Sequence, residues 1–273
     1  MGIFRFKQFS VKDDVSAMKI GTDAVLLGAL MTLSSEERYL LDIGTGTGII
    51  SLMAAQRLSS IKTHRDSLIQ GTEVVDTACS GGFSPLQNFQ IEAIDIDAGA
   101  AAEAAENFSI SKWNTNLRSI HSSLEDFLSQ TASSFASDTV HKYDVIFSNP
   151  PYFDLSLQSP DSRRATARNS DVGLSYREII DFAAKYLSPG GHLSFVLPAT
   201  AENDLLSYAG TCGLHLFRIV KVSSVARKSP TRIIAEFSFS QKDFPEELML
   251  TINGENGYSS QYKEFVKDFY LYL

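Results

Sequence analysis

The stretch LLDIGTGTGII, residues 40–50, decides the fold: an apolar strand runs into a glycine turn that opens a helix. Glycines allow positive φ and let a ligand touch the backbone where a Cβ would obstruct it. The dinucleotide fingerprint G-x-G-x-x-G fails, because its last position falls on Ile49 or Ser51. A P-loop fails too, since no Gly-Lys-Ser/Thr follows. The remaining pattern is Asp-x-Gly-x-Gly-x-Gly, formed by Asp42, Gly44, Gly46 and Gly48.

This glycine loop resembles the S-adenosylmethionine loop of class I methyltransferases. In those enzymes the glycine backbone lies against the methionine and ribose part of the cofactor, and the acid before the loop helps to position the cofactor's ammonium group. The resemblance implies these roles for Asp42 and the three glycines. An ordinary strand-to-helix turn is the alternative interpretation of the same residues.

A second acid is expected at the end of the next strand, where a carboxylate accepts both ribose hydroxyls at the switch point of the sheet. Asp95 closes the apolar run from Gln90 and is the first choice, with Asp97 second. The alternative role is the N-cap of the helix that begins near Ala98, and for Asp97 we expect that role.

Seven apolar runs separated mainly by segments of helical spacing predict an α/β fold with helices on both faces of the sheet. The expected architecture is a Rossmann-like class I methyltransferase domain over residues 1–273, with a mostly parallel seven-stranded sheet. Two runs after Leu214 are joined only by a loop, which predicts one antiparallel strand at the sheet edge. The polar stretch 59–89 interrupts the pattern and is interpreted as a surface insertion.

Composition limits the function classes. The formal net charge is −8 over 273 residues, which argues against non-specific coating of nucleic acid but not against a local basic face. Two cysteines, Cys79 and Cys212, provide no disulfide framework, and the five scattered histidines predict no metal site. The absence of a long apolar run and of a signal-like N-terminus predicts a cytoplasmic protein with no membrane contact.

The run Tyr143 to Ser148 ends in Asn149-Pro150-Pro151-Tyr152, the proposed chemical signature. Prolines remove two donors and fix the backbone, which leaves carbonyl oxygens at the strand end. The Asn149 side-chain oxygen and the Pro150 carbonyl suit one planar NH₂ group, whose nitrogen lone pair they free for attack on a methylsulfonium. Tyr152 is expected to stack on the ring that carries the amine, so the target base must be flipped or lie in a loop. A plain turn is the alternative.

With both motifs, the chain resembles the tRNA1(Val) (adenine-N6)-methyltransferase family over nearly its whole length. The segments 6–9 and 18–29 are similar to the N-terminal signature of that family. The resemblance implies that residues 1–36 cover the cofactor pocket, although Thr22 and Asp23 suit a helix N-cap equally well. The implied cofactor-binding set is Lys19, Thr22, Asp23, Asp42, Gly44, Gly46, Gly48, Asp95 and Asn149. An acid that usually contacts the cofactor adenine is missing after the third strand, and that contact stays unassigned.

The resemblance implies N6-methylation of an adenine beside the anticodon of a valine tRNA. The alternatives are enzymes sharing Asn-Pro-Pro-Tyr that methylate rRNA guanine-N2, DNA adenine-N6 or protein glutamine-N5, and a non-catalytic RNA-binding module of the same fold. Two basic segments are the candidate RNA contacts, with a solvated charge run as the alternative. Their members are Arg163, Arg164 and Arg168 in one loop, and Arg227, Lys228 and Arg232 within the run of five cations from Arg218 to Arg232. The oligomeric state is left open.

Overall fold

The carboxyl ends of a row of parallel strands meet at one edge of the central sheet. A computed structural model describes residues 2–16, 19–70, 89–134, 142–151 and 174–273. The strands are β1 (Ile3–Arg5), β2 (Ser10–Lys12), β3 (Tyr39–Ile43), β4 (Gln90–Asp95), β5 (Leu117–His121), β6 (Tyr143–Ser148), β7 (Leu187–Pro198), β8 (His215–Val225), β9 (Arg232–Ser238), β10 (Glu246–Gly254) and β11 (Gly257–Tyr258). The helices are α1 (Thr22–Leu30), α2 (Ile49–Gln70), α3 (Ala98–Ser109), α4 (Leu124–Ser134), α5 (Tyr176–Tyr186), α6 (Glu202–Thr211) and α7 (Ser260–Val266).

Among the described residues, the main sheet has nine strands in the order β5-β4-β3-β6-β7-β9-β8-β10-β11, beside a separate β1-β2 hairpin. The α/β class and the mostly parallel sheet are confirmed, but the predicted seven strands were too few. The sequence of β10, EELMLTING, begins with two glutamates and ends in Asn-Gly, so its apolar stretch is too short to be recognised, and β11 has only two residues.

The long antiparallel strand does not lie at the edge. Strand β9 pairs antiparallel with both β7 and β8, inside the sheet, while the edge strand β11 is antiparallel to β10. The physical reason is that β9 is buried on both faces: Ile233, Ala235 and Phe237 on one face and Ile234 and the hydrogen-bonded Glu236 on the other are all fully buried. Such a strand needs a neighbour on each side and helices above and below.

Two hydrophobic layers flank the sheet, and alternate residues of each strand enter them. In β3, Leu40 packs with α1, α2 and α3, whereas Leu41 packs with α4 and α5. Helix α1 is buried from Ala24 to Leu30, so this part of the N-terminal segment belongs to the core.

Helix α2 extends to Gln70, well into the stretch 59–89 interpreted as a surface insertion. The rest of this stretch up to residue 88 lies outside the described residues, and Phe89 at the end of the stretch is buried. Within the described ranges, no helix is both long and apolar enough to span a bilayer.

Candidate active site

Three adjacent strands bring the predicted site segments to one edge of the sheet. Strand β3 lies between β4 and β6 and is parallel to both. The Gly44 amide donates to the Ile94 carbonyl at 2.9 Å, and the Ser148 hydroxyl donates to the Ile43 carbonyl at 2.7 Å. The glycine loop therefore has Asp95 following one neighbouring strand and Asn149 following the other.

The glycine loop needs glycine for its backbone conformation and, at Gly48, for close packing against α3. Gly44, Gly46 and Gly48 all have positive φ, at 75°, 57° and 80°, which L-residues with side chains rarely adopt. A Cβ on Gly48 would lie 2.5 Å from the Phe108 ring, so this glycine lets α3 pack against the loop. A Cβ on Gly44 would meet no described protein atom within 4 Å. Backbone that is open at this point suits close approach by a ligand.

Asp42 is a fully buried carboxylate with only one oxygen satisfied. Its Oδ2 accepts hydrogen bonds from the hydroxyls of Thr45 and Ser51, each at 2.7 Å. Its Oδ1 is buried and has no hydrogen-bond partner among the described residues. Burial raises the pKa of Asp42 to about 7, although the two hydroxyls lower it and the charge of Asp95 adds to the rise. A cationic group that reached Oδ1 would stabilise the ionised form.

Asp95 and Asp97 have different roles in the local backbone. Asp95 accepts from the Gly46 amide at 2.8 Å and from the Asp97 amide at 2.9 Å. Asp97 accepts from the Ala100 amide at 2.7 Å and is the N-cap of α3, as expected. Each Asp95 oxygen keeps further acceptor capacity, because an ionised carboxylate offers about four lone-pair sites.

The proline signature is described up to Pro151. Asn149 is half-buried, Pro150 is buried and Pro151 is exposed. Tyr152 and the predicted RNA contacts Arg163, Arg164 and Arg168 lie outside the described residues. Asn149 lies next to the glycine loop, because the preceding Ser148 donates to the carbonyl of Ile43 just before that loop.

Comparison with known proteins identifies the family, although no protein-family model matches the chain. A tRNA1(Val) (adenine(37)-N6)-methyltransferase of Bacteroides fragilis is 36% identical over 98% of this chain and 97% of that protein. An enzyme of the same name from Christiangramia forsetii is 34% identical over 99% of this chain and 98% of that protein. Another from Aliivibrio fischeri is 36% identical over 98% of this chain and 97% of that protein. The chain belongs to the tRNA1(Val) (adenine(37)-N6)-methyltransferase family.

Solved structures support the fold of this methyltransferase. A predicted O-methyltransferase from Agrobacterium tumefaciens superposes with a TM-score of 0.58 at 11% identity, covering 90% of this chain and 96% of that one. A T. thermophilus 16S rRNA N2 methyltransferase in complex with AdoMet and guanosine gives 0.50 at 14% identity, over 88% and 50%. At these identities the likeness concerns the fold alone.

The N-terminal candidates of the methyltransferase have partners within the protein. The Lys19 ammonium donates to the carbonyls of Asp13 and Asp14, each at 3.1 Å. Thr22 and Asp23 do not cap α1: the N-cap is Gly21, with no side-chain hydrogen bond, so the capping alternative was wrong. Asp23 instead accepts from Arg232 at 2.8 Å.

The basic run of the methyltransferase is largely paired with acids from other parts of the chain. Arg218 contacts Glu236 and Glu246, and Lys221 contacts Glu202 and Glu247. Arg232, a predicted RNA contact, contacts Asp23. Arg227 and Lys228 are exposed on the β8–β9 loop, and neither has an ion pair with a described residue. Since β8 ends at the same edge as β3, these two cations lie on the edge that carries the glycine loop.

Two groups of residues were missed by the sequence reasoning. Glu103 and Asn107 of α3 are buried polar residues that connect the N-terminal segment to the glycine loop. Their signal was a pair of polar residues four positions apart in an alanine-rich helix. Ile96 and Val15 are 72% and 60% exposed near the end of β4, where apolar side chains suit an aromatic ring.

The site offers no metal centre among the described residues, where three or more possible ligating side chains nowhere come together.

Proposed function

We propose that this chain transfers the methyl group of S-adenosylmethionine to N6 of an adenine in tRNA, the adenine beside the anticodon of tRNA1(Val), in the cytoplasm. Similarity to enzymes of that name over almost the full length supports the reaction class. The observation that carries the proposal is the row of Asp95, the glycine loop and Asn149 at the ends of three neighbouring strands.

The residues at this edge fit S-adenosylmethionine, which supplies an electrophilic methyl group on a sulfonium when bound. The unsatisfied Oδ1 of Asp42 suits an ammonium group. The partly exposed Asp95 carboxylate suits two ribose hydroxyls, and the open backbone at Gly44 suits close contact. Ile96 and Val15 would pack against an adenine ring.

Asn149 and Pro150 would bind the amine that accepts the methyl group. The Asn149 side-chain oxygen and the Pro150 carbonyl each accept one hydrogen from a planar NH₂ group. This arrangement draws the nitrogen towards tetrahedral geometry and holds its lone pair in line with the methyl group. Tyr152 would stack on the flipped adenine. No strong base is needed, because the proton leaves after the carbon–nitrogen bond forms.

Local cations would hold the RNA despite the net charge of −8. Arg227 and Lys228 are the favoured contacts of the later segment, because Arg218, Lys221 and Arg232 are already paired with carboxylates. Arg163, Arg164 and Arg168 follow the signature in sequence and remain proposed contacts. Phosphate contacts of this kind position the RNA without reading its sequence.

The test is methyl transfer from labelled S-adenosylmethionine to total tRNA from a strain that lacks the enzyme. Nuclease digestion should yield labelled N6-methyladenosine. A tRNA1(Val) transcript should accept the label, and the matched transcript with guanine at position 37 should not. Label in guanine of RNA, or label only in parallel reactions supplied with DNA or with protein, would favour a related methyltransferase. Cofactor binding without transfer to any tRNA would favour a non-catalytic RNA-binding module.

A further inference from the structure

Three consecutive backbone amides of the N-terminal segment converge on one buried side chain. The amides of Asp14 and Val15 donate to Glu103 Oε1 at 2.7 and 2.9 Å, and the Ser16 amide donates to Oε2 at 2.8 Å. Burial by itself raises the pKa of Glu103, but these three amides outweigh it and the pKa lies below its ordinary value. The side chain is therefore an ionised carboxylate whose acceptors are matched to this segment. We call residues 12–16 the strap.

Asn107, one helical turn beyond Glu103, contacts the strap and the glycine loop with one amide group. Its Oδ1 accepts from the Lys12 amide at 2.8 Å. Its Nδ2 donates to the Lys12 carbonyl at 3.0 Å and to the Thr47 carbonyl at 2.9 Å. Asn107 is fully buried, so both donors and the acceptor are used within the protein.

Helix α3 is thus a common support for the strap and the loop. A Cβ on Gly99 would lie 2.8 Å from Val15 Cγ1, and a Cβ on Gly46 would lie 3.3 Å from Ser16 Oγ. The strap therefore touches α3 on one side and the glycine loop on the other. Its distance from the loop depends on Glu103 and Asn107.

We propose that Glu103 and Asn107 are positioning residues, which hold the strap against the glycine loop and so preform the cofactor pocket. The inference rests on the proposed function, because it assigns the pocket to S-adenosylmethionine. A pocket that is already ordered costs less free energy on binding. Losing either side chain should raise the KM for the cofactor without changing the chemical step.

Two isosteric variants test the geometry without opening a cavity. Glu103→Gln turns its NH₂ group towards at least one strap amide, so a donor faces a donor. Asn107→Asp turns a carboxylate oxygen towards the carbonyls of Lys12 and Thr47. The matched control is Glu106→Gln on the same helix, since Glu106 contacts the strap only through an exposed ion pair with Lys12.

We expect both variants to raise the KM for S-adenosylmethionine and the Kd for S-adenosylhomocysteine at least tenfold. The KM for tRNA and kcat at saturating cofactor should stay within about threefold of the parent, and Glu106→Gln should match the parent. If Glu103 and Asn107 were purely structural, their variants would have a lower Tm and kcat but an unchanged KM for the cofactor. That result would overturn the inference. Trp113, the single tryptophan, lies 6.1 Å from the Phe9 ring, so its fluorescence reports whether the N-terminal segment is seated.

Asp14→Pro provides a variant that leaves α3 intact. It removes the Asp14 amide, one of the two donors to Glu103 Oε1, from an exposed position of the strap that has no proposed contact with the cofactor. The same rise in the cofactor KM is expected, and an unchanged KM contradicts the inference. If the parent protein fails to bind S-adenosylhomocysteine in calorimetry, the proposed function itself fails. If parent and variants bind it equally, only the positioning role fails.

Discussion

Two carboxylates, Asp42 and Glu236, are fully buried in the sheet, and their surroundings differ. Glu236 Oε1 accepts from the Thr32 amide and the Ser194 hydroxyl, and its Oε2 accepts from the Thr32 hydroxyl and Arg218. Asp42 has two donors on Oδ2 and none on Oδ1 among the described residues.

The difference separates a structural group, Glu236, from Asp42, for which we propose a role in binding. Arg218 also donates to the Leu30 carbonyl, so the Glu236 network fastens the end of α1 to β8 and β9. A buried polar network of this kind stabilises when every member has its partner. Asp42 Oδ1, at the edge where the glycine loop opens, has no partner among the described residues, which is the observation behind its proposed contact with the cofactor ammonium group.

The largest expected effect is on stability, from Glu236→Gln. The substitution keeps the side-chain volume but leaves the Arg218 guanidinium with the exposed Glu246 as its charged partner, which should cost about 3 kcal/mol of the unfolding free energy. Urea denaturation measures this loss. Affinity for S-adenosylhomocysteine in the folded variant should equal that of the parent, and a large loss of affinity would contradict a purely structural role.

Asn149→Ala should affect the reaction alone. Losing one preorganised hydrogen-bond partner of the transition state typically costs about 3 kcal/mol, or roughly a hundredfold in rate. Single-turnover methyl transfer measures it, with calorimetry of S-adenosylhomocysteine as the control for nearly intact cofactor binding. Rates that agree within a few-fold would remove Asn149 from the amine site.

Asp42→Asn should raise the stability of the protein at high pH but weaken its binding of S-adenosylhomocysteine. Because burial raises the pKa of Asp42 to about 7, the folded state binds more protons than the unfolded state between its ordinary pKa and pH 7. Stability therefore falls as the pH rises through this window and stays lower above it. The asparagine variant avoids this loss and should be more stable by about 1–2 kcal/mol at pH 8, yet bind S-adenosylhomocysteine more weakly. Thermal unfolding at several pH values measures the first effect; a variant that is less stable at pH 8 would contradict it.

The smallest expected effect is on tRNA affinity, in variants of cations that differ in whether they form an ion pair with a carboxylate. Arg227→Ala and Lys228→Ala should raise the KM for tRNA and flatten the plot of log affinity against log salt by about 0.7–0.9 per lost phosphate contact. Lys221→Ala is the matched control, because Lys221 is already paired with Glu202 and Glu247. Equal salt slopes in all three variants would locate the RNA elsewhere, with Arg163 and Arg164 next to test.

Local sequence was enough for features that depend on local backbone. The glycine loop, the strand ending at Asp95 and the cap at Asp97 follow from turn and cap chemistry within a few residues. Features set by distant parts of the chain could not be predicted. The partner of Arg232 is 209 positions away at Asp23, and Glu103 is held by amides 87–89 positions away.

Calorimetric titration of S-adenosylhomocysteine into Asp95→Ala and Asp97→Ala tests most directly whether Asp95, at the carboxyl edge of the sheet, binds the ribose of the cofactor. Asp95→Ala should weaken binding by about 2 kcal/mol, roughly thirtyfold in Kd, because the ribose hydroxyls lose a charged acceptor. Asp97→Ala should cost about 1 kcal/mol of stability through the lost cap and leave Kd nearly unchanged. Weaker binding for Asp97→Ala than for Asp95→Ala, or equal binding by both variants and the parent, would contradict this role of Asp95.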